Sequence, residues 1–185
     1  MVHIRSAKTE DIPMLKGFIF EHGQNEWNYL PREEVLAHLS KIEIHEVQAL
    51  IAEEAGTCLG FCSFNKELPE KCLRYIPTGK NKNAYLAEVV VHKSHSGKGI
   101  GSELVEAAKN VLKMQDIQAL YAVRHTDNLG SAGMMRKSGF EVIAEFDDFE
   151  IRTSGSRRTS ITRVELSNYE DIGVGGKLPI SIAGS

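Results

Sequence analysis

The chain opens with hydrophobic and polar residues alternating from Val2 to Ser6, the pattern of a strand. Ile12, Leu15 and Ile19 then recur at helical spacing, which predicts a helix over roughly 10–22 with Thr9 as its cap. Pro31 opens a second helix, with Val35, Leu36 and Leu39 as its apolar face. Two apolar runs, 47–53 and 58–64, flank Glu54-Ala55-Gly56-Thr57 and read as a hairpin. Periodicity then disappears from Asn65 to Asn83, where Pro69, Pro77 and Gly79 mark a long irregular loop. Loops of that length are more often functional or mobile than idle.

Beta-branched Val89, Val90 and Val91 close the next strand, and alternation puts Leu86, Glu88 and Val90 on one face, with Ala87, Val89 and Val91 on the other. A helix follows over about 100–114, with Leu104, Val105, Ala108, Val111 and Leu112 inward, and 117–123 is a further strand. The segment from Asn128 reads as an amphipathic helix closed by Gly139. Residues 140–151 and 158–166 form a last antiparallel pair around Thr153-Ser154-Gly155-Ser156. The pattern defines one domain over 1–166, and the weakly periodic tail 167–185 reads as an extension, mobile or packed as an arm.

With 185 residues and 42% hydrophobic content the chain can bury a sizeable core. It has no apolar run of membrane-spanning length, and its first residues lack the apolar core of a signal peptide, so the expectation is a cytoplasmic protein with no membrane partner. A net charge of −3 without a basic cluster argues against nucleic acid as a partner. Cys58, Cys62 and Cys72 lack paired metal spacing, so no metal is expected, and Cys58 and Cys62 read as small apolar residues on a strand.

The chemistry concentrates where the valine strand enters its helix through Ser96-Gly97-Lys98-Gly99-Ile100-Gly101-Ser102. Three alternating glycines let the backbone take angles closed to residues with a Cβ, so successive N–H groups can face one anion beside the positive helix end. Lys98 can add a charge. The loop lacks the Gly-Lys-Ser/Thr ending of a nucleoside triphosphate site and misses the dinucleotide fingerprint G-x-G-x-x-G by one position.

Here the chain resembles the GNAT superfamily of N-acetyltransferases, whose Arg/Gln-x-x-Gly-x-Gly/Ala motif binds the pyrophosphate of acetyl-CoA. Gly97, Gly99 and Gly101 follow the glycine pattern, while Ser96 stands where the family has Arg or Gln. A second motif, N-x-x-A-x-x-x-Y-x-K-x-G-F, is matched by Asn128, Lys137, Gly139 and Phe140, with Ser131 in the small-residue slot. The tyrosine slot, which in relatives protonates the departing thiolate, holds Met135, and methionine has no proton to give.

The resemblance implies an α/β (α+β) fold with a mixed, mostly antiparallel sheet of about seven strands, a splayed fourth and fifth strand, and about four helices. It implies acetyl-CoA as co-substrate, held by main-chain groups of Val89, Val90 and Val91, by Ser96 through Ser102, and by Asn128 and Ser131. The reaction implied is acetyl transfer to a primary amine of a small molecule or amino-acid side chain; a homodimer is compatible with it. The alternative is a catalytically weak acyl-CoA-binding module with a regulatory or interaction role, motivated by Met135 and Ser96.

An ammonium must lose its proton before attack, so a base is required. Three residues are candidates. Glu88 lies in the middle of the valine strand, like the acidic residue of the histone-acetylating branch; His92 lies at the strand end, where neutral imidazole can accept a proton. Glu26 lies in the linker Gln24-Asn25-Glu26-Trp27-Asn28-Tyr29, which in relatives lines the acceptor site.

Overall fold

The computed structural model describes residues 1–166. The tail expected from Ser167 onward lies outside the described residues. One sheet runs through the molecule, built from β1 (His3–Ser6), β2 (Gln48–Glu54), β3 (Thr57–Asn65), β4 (Asn83–Val91), β5 (Ala119–His125), β6 (Glu141–Asp147) and β7 (Arg158–Glu165). Their order is β1-β2-β3-β4-β5-β7-β6, and every neighbouring pair is antiparallel except β4 with β5. The helices are α1 (Ile12–His22), α2 (Arg32–Ser40), α3 (Glu70–Leu73), α4 (Ile100–Met114) and α5 (Leu129–Lys137).

Helices cover both faces of the central strands, so those strands read as near-continuous apolar runs. Leu104, Val105, Ala108 and Leu112 of α4 pack on Leu50, Cys62, Phe64, Leu86 and Leu120. Opposite them, Leu15, Ile19 and Leu39 of α1 and α2 pack on Ile51, Phe61 and Val90. Each such side chain contributes about 1.5–3 kcal/mol by leaving water. The β2–β3 hairpin turns through Ala55 and Gly56 with φ of 48° and 78°, the two positive angles that suit a tight turn to strand twist. At the end of α5, Gly139 takes φ of 83° and the Phe140 amide donates to the Met135 carbonyl at 3.0 Å, closing the helix as its glycine predicts.

Four local expectations are corrected. Thr9 does not cap α1: residues Thr9–Asp11 form a 3-10 turn, and α1 starts at Ile12 with Pro13 in its first turn. The Asp11 carboxylate instead accepts from the Lys8 amide at 2.7 Å and from Arg5 at 2.8 and 2.9 Å. The irregular loop contains α3, a single turn opened by Pro69 and anchored by buried Cys72. The strand expected to reach Ile151 ends at Asp147, because the Arg152 amide turns back onto the Asp148 carbonyl at 2.9 Å.

The fourth correction positions the site. Phe64 pairs with Leu86 but Ser63 pairs with Glu88, so Ala87 is an extra residue in β4, a β-bulge. Strict alternation fails there. Leu86 faces α4, and so do Val89 and Val91, whereas Val90, and Glu88 two residues before it, face the α1–α2 side. Pairing of β4 with β5 also stops at Leu86–Ala122, although β4 keeps β3 to Val91 and β5 keeps β7 to His125. Beyond that point the two strands diverge and leave facing edges without partners.

Candidate active site

On the α4 side of this gap the chain leaves β4 at His92, makes a 3-10 turn over Lys93–His95, and reaches α4 through Gly97 and Gly99 with φ of 78° and 89°. Gly99 is the N-cap and supplies no side chain, so the amides of Ile100, Gly101 and Ser102 face outward without intrahelical partners. A Cβ added at Gly97 or Gly99 would meet nothing within 4 Å, so an anion can approach that backbone closely. Ser96 and Lys98 are exposed beside it. These features fit a pyrophosphate.

Gly101 is different: a Cβ there would lie 2.7 Å from the Met134 sulfur, which rests between α4 and the Val89 and Val91 side chains. Met135, in the tyrosine slot, is buried in the α4 core with Phe140. Asn128 caps α5, its Oδ1 accepting from the Ser131 amide at 3.0 Å. Its side-chain oxygen is therefore engaged within α5, and the Asn128 amide nitrogen is the part left to act.

On the opposite side of the sheet lies a cleft of about 170 Å³, lined by the α1–α2 linker (Glu26 to Pro31), His125, and Ile151, Arg152 and Thr153. Asn25 orders the linker by accepting from the Trp27 and Asn28 amides, both at 2.9 Å. The Trp27 ring packs on His125 with centroids 4.8 Å apart. His125 donates from Nε2 to the Ser154 carbonyl at 2.8 Å and accepts at Nδ1 from the Asp127 amide at 3.0 Å. Those partners assign one neutral tautomer and use both ring nitrogens, so His125 positions the cleft rather than moving protons.

The three base candidates separate. Glu88 is half-buried beside the open edge, and among the described residues its carboxylate has no hydrogen-bonding partner. Burial pushes it up to about 8. Tyr85, on the same side, has its hydroxyl pushed well above the usual phenol range, first by burial and then by the charge of Glu88. Glu26 is exposed at the cleft and ties it together through its carbonyl, which accepts from the Ser154 hydroxyl.

His92, directly after the Val89–Val91 edge, sits in a histidine cluster against α1. Its ring lies 4.0 Å from that of His22 and 5.5 Å from that of His95, with Phe18 behind, and its Nδ1 accepts from the Ser94 amide at 3.2 Å. Burial, then the neighbouring His92, holds His22 below the ordinary imidazole range. Burial pushes the Cys62 thiol up to about 12 and that of Cys72 up to about 11, which leaves little thiolate at either. Among the described residues there is no cluster of metal-ligating side chains and no helix long and apolar enough to cross a membrane.

A sheet that opens between a parallel fourth and fifth strand, with a glycine loop at one side of the gap, is matched at the sequence level. The acetyltransferase (GNAT) family model aligns with residues 16–140. The chain belongs to the GNAT family. Acetyl-CoA is accordingly its co-substrate and acetyl transfer its class of reaction. A Salmonella typhimurium protein solved with its cofactor acetyl-CoA superposes with a TM-score of 0.72 at 18% identity, covering 91% of this chain and 96% of that one. The ribosomal-protein-S18-alanine N-acetyltransferase of Escherichia coli gives 0.69 at 13% identity, covering 95% and 100%. A ribosomal-protein-alanine N-acetyltransferase from Brucella melitensis gives 0.68 at 21%, covering 89% and 99%. These likenesses carry the GNAT fold. No curated protein sequence matches the chain.

Residues His125 and Arg152 of the cleft were missed from the sequence. His125 lies within the family match, but it closes an apolar strand and no motif marks it; Arg152 lies beyond the match altogether, among arginines that look alike in sequence.

Proposed function

We propose that this GNAT protein acetylates the primary amine of a small molecule or amino-acid side chain, with Glu88 as the base. One observation carries the reading: a half-buried carboxylate without a protein partner, held up to about 8, stands at the bulge where β4 loses β5. A base of that strength can take a proton near neutral pH, which an ordinary surface glutamate does poorly.

Acetyl-CoA, when bound, supplies an acetyl group activated as a thioester, and the new carbon–nitrogen bond forms as the carbon–sulfur bond breaks. The Ile100, Gly101 and Ser102 amides, with Lys98 and Ser96, hold the pyrophosphate. Main-chain groups of Val89, Val90 and Val91 on the unpaired edge hold the pantetheine arm, and an N–H among them meets the negative charge that develops on the thioester oxygen. Asn128 and Ser131 line the opening from α5. Glu88 takes the ammonium proton and frees the nitrogen lone pair. Because Met135 cannot donate, the proton that the departing thiolate needs comes from protonated Glu88 or from water. The cytosolic assignment rests on the need for acetyl-CoA.

Calorimetric titration of acetyl-CoA, followed by thiol release over a panel of amines, tests the reading. Tight coenzyme binding with amine-dependent release is expected. Binding without release for any amine favours the alternative, a coenzyme-binding module.

A further inference from the structure

Arg152 is the charged group in the cleft that acetyl transfer alone does not use. It is only 6% exposed, yet among the described residues no carboxylate forms an ion pair with it. Its Nε donates to the Thr159 hydroxyl at 2.9 Å and its Nη1 to the Trp27 carbonyl at 3.1 Å. A guanidinium has five N–H bonds, so both hydrogens on Nη2 and one on Nη1 remain. Among the described residues the Nη2 atom has no acceptor and is not sealed from solvent, and the residue lines the cleft.

Two neutral donors would clip the Trp27 carbonyl to Thr159 equally well, so the clip does not account for the charge. Burying a cation is costly unless an anion joins it, and burial here works against the charged form of Arg152. Glu150, two residues before it, is exposed, and Asp148, whose charge favours the Arg152 cation, is engaged by the Thr159 hydroxyl at 2.7 Å and by Lys71 at 3.1 Å. Glu26 is at the cleft but exposed, and Asp127 is engaged by the Ser156 amide at 2.7 Å. The Nη edge that remains has the geometry for two parallel hydrogen bonds to a carboxylate.

Tyr85 lies on the same face of the sheet as Glu88, and among the described residues its hydroxyl has no hydrogen-bonding partner; the charge of Glu88 raises that hydroxyl and the charge of Arg152 lowers it. The cleft is well below the ~300–1,000 Å³ of drug-sized ligand sites, and Trp27 and Tyr29 supply its apolar wall.

We infer that Arg152 binds a carboxylate on the acceptor, so that the acceptor is a small amine of the amino-acid class carrying both groups. This rests on the acetyl-transfer reading: Glu88 takes the proton from the amine while Arg152 holds the acid.

The experiment compares amino acids with their carboxamides and decarboxylated amines in thiol release, using wild type, Arg152→Gln and Arg152→Lys. In wild type the acids should exceed both analogues in kcat/KM by ~10²-fold, the size of discrimination expected of a charged hydrogen-bonding pair left unmade. Arg152→Gln should erase most of that ratio, chiefly through KM, while Arg152→Lys restores part of it. Equal losses on acids and carboxylate-free amines would make Arg152 a structural clip and overturn the inference, as would wild type preferring the decarboxylated amines.

Calorimetry of N-acetyl amino acids against the CoA-loaded protein separates this inference from the reading beneath it. Carboxylate-dependent binding that Arg152→Gln abolishes upholds the inference even when no amine releases thiol, in which case acetyl transfer alone fails. Absence of such binding overturns the carboxylate site, whatever the turnover.

Discussion

Replacing Glu88 with Gln keeps the shape of the side chain and removes its charge, and the two consequences can be measured independently. Burial moves the carboxyl from the ordinary 4.5 to about 8. That rise corresponds to roughly 5 kcal/mol by which ionised Glu88 penalises the folded state at high pH. Its carboxylate retains an opening to solvent, so about half of this, ~2–3 kcal/mol, is the expected swing. The folded state keeps a proton that the unfolded chain has already released between the two values. Wild-type stability therefore falls as pH rises from about 4.5 to 8 and levels off above it.

Glu88→Gln has no such dependence. The two proteins should melt alike near pH 5, and the variant should melt ~4–12 °C higher near pH 9 for a chain of this size. Turnover should move the other way, with kcat/KM falling ~10²-fold or more above pH 8, where wild-type Glu88 is ionised, and by less as the pH drops below it. The wild-type profile should carry a limb near pH 8 that the variant lacks, read as the ratio of the two so that deprotonation of the amine itself cancels. Melting curves whose difference is constant with pH would refute the burial argument. Variant activity within about threefold of wild type, with an unchanged profile, would refute the catalytic role.

Gly99→Glu puts a Cβ at φ of 89° and a carboxylate over the open α4 amides; calorimetry should show acetyl-CoA affinity reduced by ~10²-fold or more in a protein with native far-UV circular dichroism. Gly155→Ala places a Cβ 2.4 Å from the Asp127 carboxylate and 2.9 Å from the Trp27 ring, so the cleft wall must shift; acceptor kcat/KM should fall ~10-fold with coenzyme affinity retained, and equal loss of both would refute a local effect. Met135→Tyr forces a larger, hydroxyl-bearing side chain into the α4 core and should lower stability by ~1–3 kcal/mol in chemical denaturation; a variant as stable as wild type would mean the ring reaches the gap, and its turnover should then equal or exceed wild type.

Much of this architecture is local and so was legible in the chain. The stripe Leu104, Val105, Ala108 and Leu112 can bury only as a helix, and Ala55-Gly56 and Gly139 stand where turn and cap require positive φ. The loop Gly97 to Gly101 reads as a candidate anion site from conformation alone, because glycine takes the positive angles at Gly97 and Gly99 without strain. That Leu86 and Glu88 lie on opposite faces was not legible, although Glu88 and Val90 do share the face that alternation gave them. Side-chain parity along β4 depends on its register with β3, and the extra residue at Ala87 reverses it through pairing that no window of β4 contains. The cleft is less local still, joining the linker at Trp27 to His125 and to Arg152, 125 positions further along the chain. In sequence Arg152 is one arginine among several. Burial beneath the Trp27 carbonyl, with Asp148 near enough to act by charge but no carboxylate among the described residues in an ion pair with it, makes it a candidate anion receptor, because the cost of holding a charge is set by its surroundings and only the assembled fold supplies them.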